Sequence, residues 1–305
     1  MIRHYLNMKI KIILPLFFVF IGCKPGLYLP MQNEQQFAPP GTVRVSDSIY
    51  YDIWEITNLN WKEYVAWNKT VYGDQSDEYL ASIPDTTVLD PYEPIVDLGN
   101  YYNSSFYDNR PVLGISKEQI RAYTNWRTDR VVEMILIQSK KLESGPNRFD
   151  TIPFSVNTWS KSLSNEQRKE TFIPVYSLPT KKQFDVAVAY NDSVLRLVLV
   201  SNKYLKCRAE NYSAITQDTM QSKNLLVIPT YSQDQCMPYE YDVIYYLKSN
   251  VDECIQPYEA VGFHSFKRAI EEFNLDPKNH PWTGFRNTCS WMTVEDYLVN
   301  MNLDF

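Results

Sequence analysis

Residues 109–130, NRPVLGISKEQIRAYTNWRTDR, hold the densest run of structural signals in the chain. The apolar piece Pro111-Val112-Leu113-Gly114-Ile115 reads as a short strand. Ser116 and Gln119 follow in S-x-x-Q spacing, in which a hydroxyl and a side-chain amide satisfy free backbone groups at a helix start. Ile120, Tyr123, Thr124, Arg127, Val131 and Met134/Ile135 then share one stripe at helical period. The spacing predicts a helix running to about Lys141, ended by Gly145-Pro146. Trp126 and Arg127 are read as braces of the core.

The flanks extend this grammar. Upstream, VRVSDSIYYDIWEI (43–56) is rich in β-branched and aromatic residues and predicts strands. In TNLNWKEYVAWNK the period changes: Thr57 or Asn58 caps a helix whose inner side carries Trp61, Tyr64, Val65 and Asn68. Residues 74–110 read as loop. Within them Asp74-Gln75-Ser76-Asp77-Glu78 reads as a solvated segment, because a calcium site needs six or more oxygen ligands. Downstream, Phe172 to Leu178 predicts a strand stopped by Pro179. Thr180-Lys181-Lys182-Gln183 is a second capping box, opening a helix with Phe184, Ala187 and Val188 inward. Beyond Asn191, VLRLVLVS (194–201), NLLVIPTY (224–231) and YDVIYYL (241–247) read as strands, and Phe266 to Phe273 as an amphipathic piece before the closing TGFRNTCSW (283–291).

A chain of 305 residues is long enough for a sizeable core. With 30 Lys and Arg against 36 Asp and Glu, the net charge of −6 argues against nucleic acid, whose phosphates need clustered cations. Nine Gly supply no phosphate-binding loop, while 23 Tyr and seven Trp suit cores and contact surfaces alike. Arg3, Lys9 and Lys11 precede an apolar run from Ile12 to Ile21 that is too short to span a bilayer as a helix. Phe20-Ile21-Gly22-Cys23 resembles a bacterial lipobox. The reading is a lipoprotein signal over 1–22, lipidation of Cys23, a Pro-rich tether over 23–42 and a folded body over 43–305. It implies a protein lipid-anchored at the outer membrane and facing the periplasm. Cys207, Cys236, Cys254 and Cys289 remain; they allow three disulfide pairings and contain no C-x-x-C motif. His264 and His280 are too few for a His-rich metal site, and a lone His264 reads as a packed or surface residue. Arg127 and Arg286 read as buried and paired rather than anion-binding.

Ordered blocks carry a family resemblance. EITNLNWKEYV (55–65), RPVLGISKEQIRAYTNWR (110–127), YSLPTKKQFDVAVAY (176–190) and TGFR (283–286) resemble, in order, the signature blocks of formylglycine-generating enzyme domains, also called sulfatase-modifying factor domains. The resemblance implies an α+β, C-type-lectin-like fold, with a few helices packed on an irregular β-core and much loop. The run WRTDRVVEMILIQSKKL, with an insert at about 129–172, is similar to gliding-motility and type nine secretion lipoproteins.

The departures bear on activity. The family's oxidase binds copper through two closely spaced thiolates, which suit Cu(I), whereas Cys254 and Cys289 lie far apart in sequence. Thr124, Ser177 and Lys181 stand where the family has Cys, Arg and Glu. Ser116, Gln119, Trp126, Arg127, Leu178, Pro179, Thr180, Gly284, Phe285 and Arg286 remain, and they read as framework. The expectation is therefore no catalytic residue, no metal and no cofactor. The function expected is that of a scaffold or structural subunit of an envelope machine, with the membrane and envelope proteins as partners. The alternatives are a divergent metal-dependent oxidase using Cys254, Cys289 or His264, and a carbohydrate- or peptide-binding module.

Overall fold

A computed structural model describes residues 38–88, 101–143, 153–201, 244, 247, 252–256, 259–261 and 283–303. The signal segment, Cys23, most of the tether, Cys207, Cys236, His264, His280, NLLVIPTY, Phe266 to Phe273 and all but Ile244 and Leu247 of YDVIYYL lie outside these residues. Among the described residues the class is α+β with two small sheets.

The first sheet has the order β1-β2-β7-β3 and is antiparallel throughout. Its strands are β1 (Thr42–Arg44), β2 (Tyr50–Asp52), β3 (Phe172–Ser177) and β7 (Thr288–Thr293). Strands from both ends of the chain thus meet: Cys289 on β7 faces Tyr50 on one side and Tyr176 on the other. All three residues of β2 are buried, so the strand is covered on both faces and simple inside-outside alternation fails there. The second sheet has the order β5-β4-β6, with β4 (Asp252–Ile255), β5 (Glu259–Val261) and β6 (Thr283–Phe285). β6 lies parallel to β4, with Gly284 opposite Glu253 and Phe285 opposite Cys254.

Seven helices accompany the sheets among the described residues. They are α1 (Asn58–Tyr72), α2 (Asp77–Ser82), α3 (Lys117–Gln138), α4 (Val156–Ser160), α5 (Asn165–Glu170), α6 (Lys181–Ser201) and α7 (Val294–Leu303). The longest, α3, organises the packing through two adjacent stripes. Val131 and Ile135 press on the first sheet at Tyr50, Tyr176 and Cys289. Val132 and Leu136 meet Val156 of α4, Ile173 of β3, and Val294 and Tyr297 of α7. A third cluster joins the quoted blocks: Trp61 and Tyr64 of α1, Val112, Tyr123 of α3, Leu178 and Phe285. There the rings of Trp61 and Tyr123 stack at 5.2 Å, and Phe285 stands edge-on to both. Each such aromatic contact adds about 0.5–1.5 kcal/mol beyond the area it buries.

Several expectations are corrected. Pro111 to Ile115 is no strand: Pro111 makes one isolated bridge to Thr57, and Gly114 turns the backbone at φ +72°. The 74–110 segment is not all loop, because Ser76 caps α2 by accepting a hydrogen bond from Tyr79 N, and a 3-10 turn spans Ser105–Tyr107. Asp77 and Glu78 thereby become the first turn of a helix, where acidic side chains are favoured. VLRLVLVS is not a strand but the end of α6. Asn191, read as a stop, instead uses its carboxamide on the backbone of Ile244, accepting from its N–H and donating to its carbonyl. Helix α3 ends at Gln138, three residues before the expected Lys141. Lys140 enters the left-handed region, and Lys141 and Leu142 close back on the Leu136 carbonyl. The C-terminal helix α7 and strand β4 carried no sequence expectation.

Candidate functional site

The residues of the quoted blocks converge on a buried polar seam between α3 and the two sheets. Asp52 is 2% exposed on β2, and Arg127 grips it with both ends of its guanidinium: Nη1 to Oδ2 at 2.7 Å and Nη2 to Oδ1 at 2.8 Å. Asp52 Oδ2 also accepts the Asn287 N–H at 2.8 Å. Asn287 donates from its amide to Thr124 Oγ1, one helical turn before Thr128 on α3. The face of Tyr176 lies 4.1 Å from the Arg127 guanidinium carbon. Burial alone would lower the pKa of Arg127, but the charge and hydrogen bond of Asp52, together with Tyr176 and Tyr123, outweigh burial and raise it.

Arg286 follows β6 and is fully buried. Its Nε donates to Glu253 Oε1 at 2.5 Å and its Nη1 to the Ile53 carbonyl at 3.0 Å, while Glu55 Oε2 lies 3.8 Å from Nη2. Burial again opposes the charge on Arg286, and Glu253 and Glu55 together raise its pKa. Two carboxylates thus surround one guanidinium out of reach of water. Tyr51, also fully buried, completes this interior. Among the described residues its hydroxyl makes no hydrogen bond, and burial, with Glu253 beside it, pushes its pKa well above the usual phenol range. An ionised side chain so deep is tolerated only when paired and hydrogen-bonded.

The remaining framework residues take defined places. Ser116 and Gln119 form the full capping box on α3, and Gln119 Nε2 reaches further to the carbonyls of Ala81 and Ile83, tying the end of α2 to the start of α3. Trp126 packs among Tyr64, Tyr123 and Trp67. Leu178 enters the central cluster, Pro179 O accepts the Gln256 N–H, and Thr180 and Gln183 cap α6 reciprocally. Gly284 and Phe285 line up on β4 as described. The charges of the run Trp126–Arg130 are taken up inside. Arg127 holds Asp52, Asp129 accepts the Val156 N–H at 2.8 Å, and Arg130 donates to the Phe154 carbonyl and lies over the Trp67 ring.

The seam contains residues that had no role in the sequence reading: Asp52, Glu55, Glu253, Asn287 and Tyr51. A usable signal existed in Tyr51-Asp52-Ile53-Trp54-Glu55. Carboxylates inside a run this apolar are candidates for buried pairing.

Cys254 and Cys289 are buried, free thiols. They sit in different sheets and different clusters, Cys254 with the Trp61 group and Cys289 with the Tyr50 and Tyr176 group. Burial pushes the Cys254 thiol up to about 12 and the Cys289 thiol well above its ordinary value. The thiolate, which is the reactive and metal-binding form, is therefore disfavoured at both. Native protein at pH 7.5 is expected to leave both residues unmodified by iodoacetamide until denaturant is added, as read by peptide mass spectrometry. Labelling of either within minutes under native conditions would contradict this. Among the described residues, no group of three or more His, Cys, Asp or Glu is placed to hold a metal ion, and no helix is long and apolar enough to cross a membrane. No family model matches the chain, and no curated protein or solved structure does either.

Proposed function

We propose that the chain is a lipid-anchored, non-catalytic scaffold subunit of a bacterial envelope machine of the gliding-motility or type nine secretion kind. In this reading the body has the C-type-lectin-like fold of formylglycine-generating enzyme domains. The observation that supports it most is where the residues of the resembling blocks are spent. The hydroxyls and amides at 57, 60, 116, 119, 180 and 183 cap helices, Arg127 and Arg286 neutralise buried carboxylates, and Phe285 fills the central cluster. A fold held by so many long-range side-chain ties is a rigid platform for loops, and loops on a rigid scaffold are where contact specificity tends to sit. The two described thiols, buried in separate sheets with raised pKa values, favour a structural over an oxidase role.

The test is fractionation of cells that carry the wild-type protein or Cys23→Ala. Wild type is expected in the outer-membrane fraction, released by detergent, and crosslinked to envelope proteins; Cys23→Ala is expected in the soluble fraction. Recovery of the wild type as a soluble monomer without crosslinked partners would refute the proposal.

A further inference from the structure

Trp61, in the middle of the buried aromatic cluster, is the inner end of an unbroken line of oxidisable rings. It stacks on Tyr123 at 5.2 Å and meets Tyr64 edge-on at 5.4 Å. Both of those rings touch Trp126, at 5.5 and 5.2 Å. Trp126 meets Trp67 at 6.1 Å, and Trp67 meets Tyr72 at 5.7 Å. Along the line burial falls from complete at Trp61 to 41% exposure at Tyr72, the last residue of α1. A core gains from each ring pair separately and needs no such order. Here every member is a Trp or a Tyr, and no Phe interrupts the passage from interior to surface.

The members differ in how they hold a positive charge. An indole gives up an electron more readily than a phenol that keeps its proton, whereas a phenol that sheds its proton to water is the easier of the two. Tyr64 and Tyr123 are buried, and burial raises the pKa of both, so they bridge the indoles without trapping a hole. The Trp126 Nε1–H is buried and has no acceptor among the described residues. That of Trp61 donates to the Ser82 carbonyl, too weak a base to take the proton. An oxidised indole here keeps its proton, and its hole stays mobile. The Arg130 guanidinium lies 4.6 Å over the Trp67 ring and disfavours a second positive charge there. Of these rings only Tyr72 is exposed. Partial burial and Glu78 disfavour its phenolate, but electron and proton leave together and the product radical is uncharged.

We propose that these rings form an exit path for one-electron oxidation, which carries a hole from Trp61 or Trp126 through Trp67 to Tyr72 and spares the buried cluster with its free thiol Cys254. Electron tunnelling falls off exponentially with the gap between rings, so neighbours in contact exchange an electron faster than a radical meets a partner in solution. The oxidant is a diffusible radical of the carbonate or azide class, which takes one electron from an indole and leaves as its anion. The indole radical cation is refilled from the next ring outward, until Tyr72 gives an electron to Trp67 and its phenol proton to water. The net products are the neutral Tyr72 radical, the reduced oxidant and a proton, with every indole restored. The inference stands on ring geometry and does not depend on lipid anchoring or on any envelope partner.

Pulse radiolysis of the full-length protein in azide solution, followed by transient absorption and by peptide mass spectrometry with a nitroso spin trap, tests the path. In the wild type the indolyl signal is expected to decay into a tyrosyl signal at a rate independent of protein concentration, with the trap bound at Tyr72. Trp67→Phe keeps an aromatic filler that the azide radical cannot oxidise. The Tyr72 adduct is expected to disappear in this variant while the adduct at Trp126 grows. Tyr72→Phe, at an exposed position, is expected to leave the fold intact and the trap on Trp67 and Trp126; it decides the matter if circular dichroism shows that Trp67→Phe does not fold. A Tyr72 adduct at wild-type yield in folded Trp67→Phe would show direct oxidation and overturn the proposal, as would an indolyl decay unchanged in Tyr72→Phe.

Discussion

Arg286→Met is expected to destabilise the folded chain by about 3–5 kcal/mol, the usual effect of removing one partner from a buried ion pair. The reason is what stays behind. Glu253 and Glu55 are both about 1% exposed, and both face the guanidinium at 2.5 and 3.8 Å. Methionine fills a similar space but leaves two carboxylates without their cation. They must then take up protons or draw in water, and the Ile53 carbonyl loses its donor as well. For a chain of this size, 1 kcal/mol moves the melting temperature by about 2–4 °C, so a fall on the order of 10 °C is expected in thermal unfolding followed by circular dichroism. The double change Arg286→Met with Glu253→Gln should recover part of the loss, because one stranded charge is gone. A single variant within about 1 kcal/mol of wild type would show that water already reaches this interior.

Gly114→Ala is the second large effect. Gly114 lies at φ +72°, where side chains are rarely accommodated, and an added Cβ would stand 2.1 Å from the carbonyl oxygen of Asp85. The same carbonyl group of Gly114 that accepts the Asp85 N–H fixes these two backbones against each other, so neither can yield without breaking the tie that positions α2 beside α3. Gly73 supplies the matched control: it too has positive φ, at +97°, yet nothing lies within 4 Å of its would-be Cβ. Backbone strain alone is worth about 1–3 kcal/mol, which is the expected loss for Gly73→Ala in urea unfolding. Gly114→Ala carries the clash in addition and is expected to exceed about 3 kcal/mol or to fail to accumulate as folded protein. Equal losses for the two variants would mean that the close approach at Gly114 relaxes freely.

The contrast between legible and hidden features follows from sequence distance. The capping boxes at Ser116 and Thr180 were readable because both partners lie within one turn, and helical geometry fixes their approach. The grip of Arg127 on Asp52 spans 75 positions, and that of Arg286 on Glu253 spans 33. Charge complementarity says that such residues want partners but not which ones, and topology alone decides. The misread of VLRLVLVS has a different cause. β-branched residues favour strands only weakly against context, and a helix already begun at Lys181 and held through Asn191 to Ile244 carries them along. Cys289, a candidate ligand only in the oxidase alternative, is in the fold a small apolar filler between Tyr50 and Tyr176 on the inner strand β7.

The chain enters the body through Pro39, Pro40 and Gly41. The Pro40 carbonyl accepts hydrogen bonds from Arg127 at 3.1 Å and Tyr176 at 3.0 Å, and the Pro39 carbonyl accepts one from Thr42 Oγ1. Mechanically, this is a cleat. Tension applied along the N-terminal segment arrives first at a guanidinium and a phenol that belong to α3 and β3, far away in sequence, and passes to that helix and to the opposite edge of the sheet. It does not start by peeling β1 from β2 one rung at a time. Because Arg127 is also locked to Asp52, the strand next to β1 shares the load from the outset, and the protein can be pulled on at Pro39 and Pro40 without its edge strand acting as the weakest link.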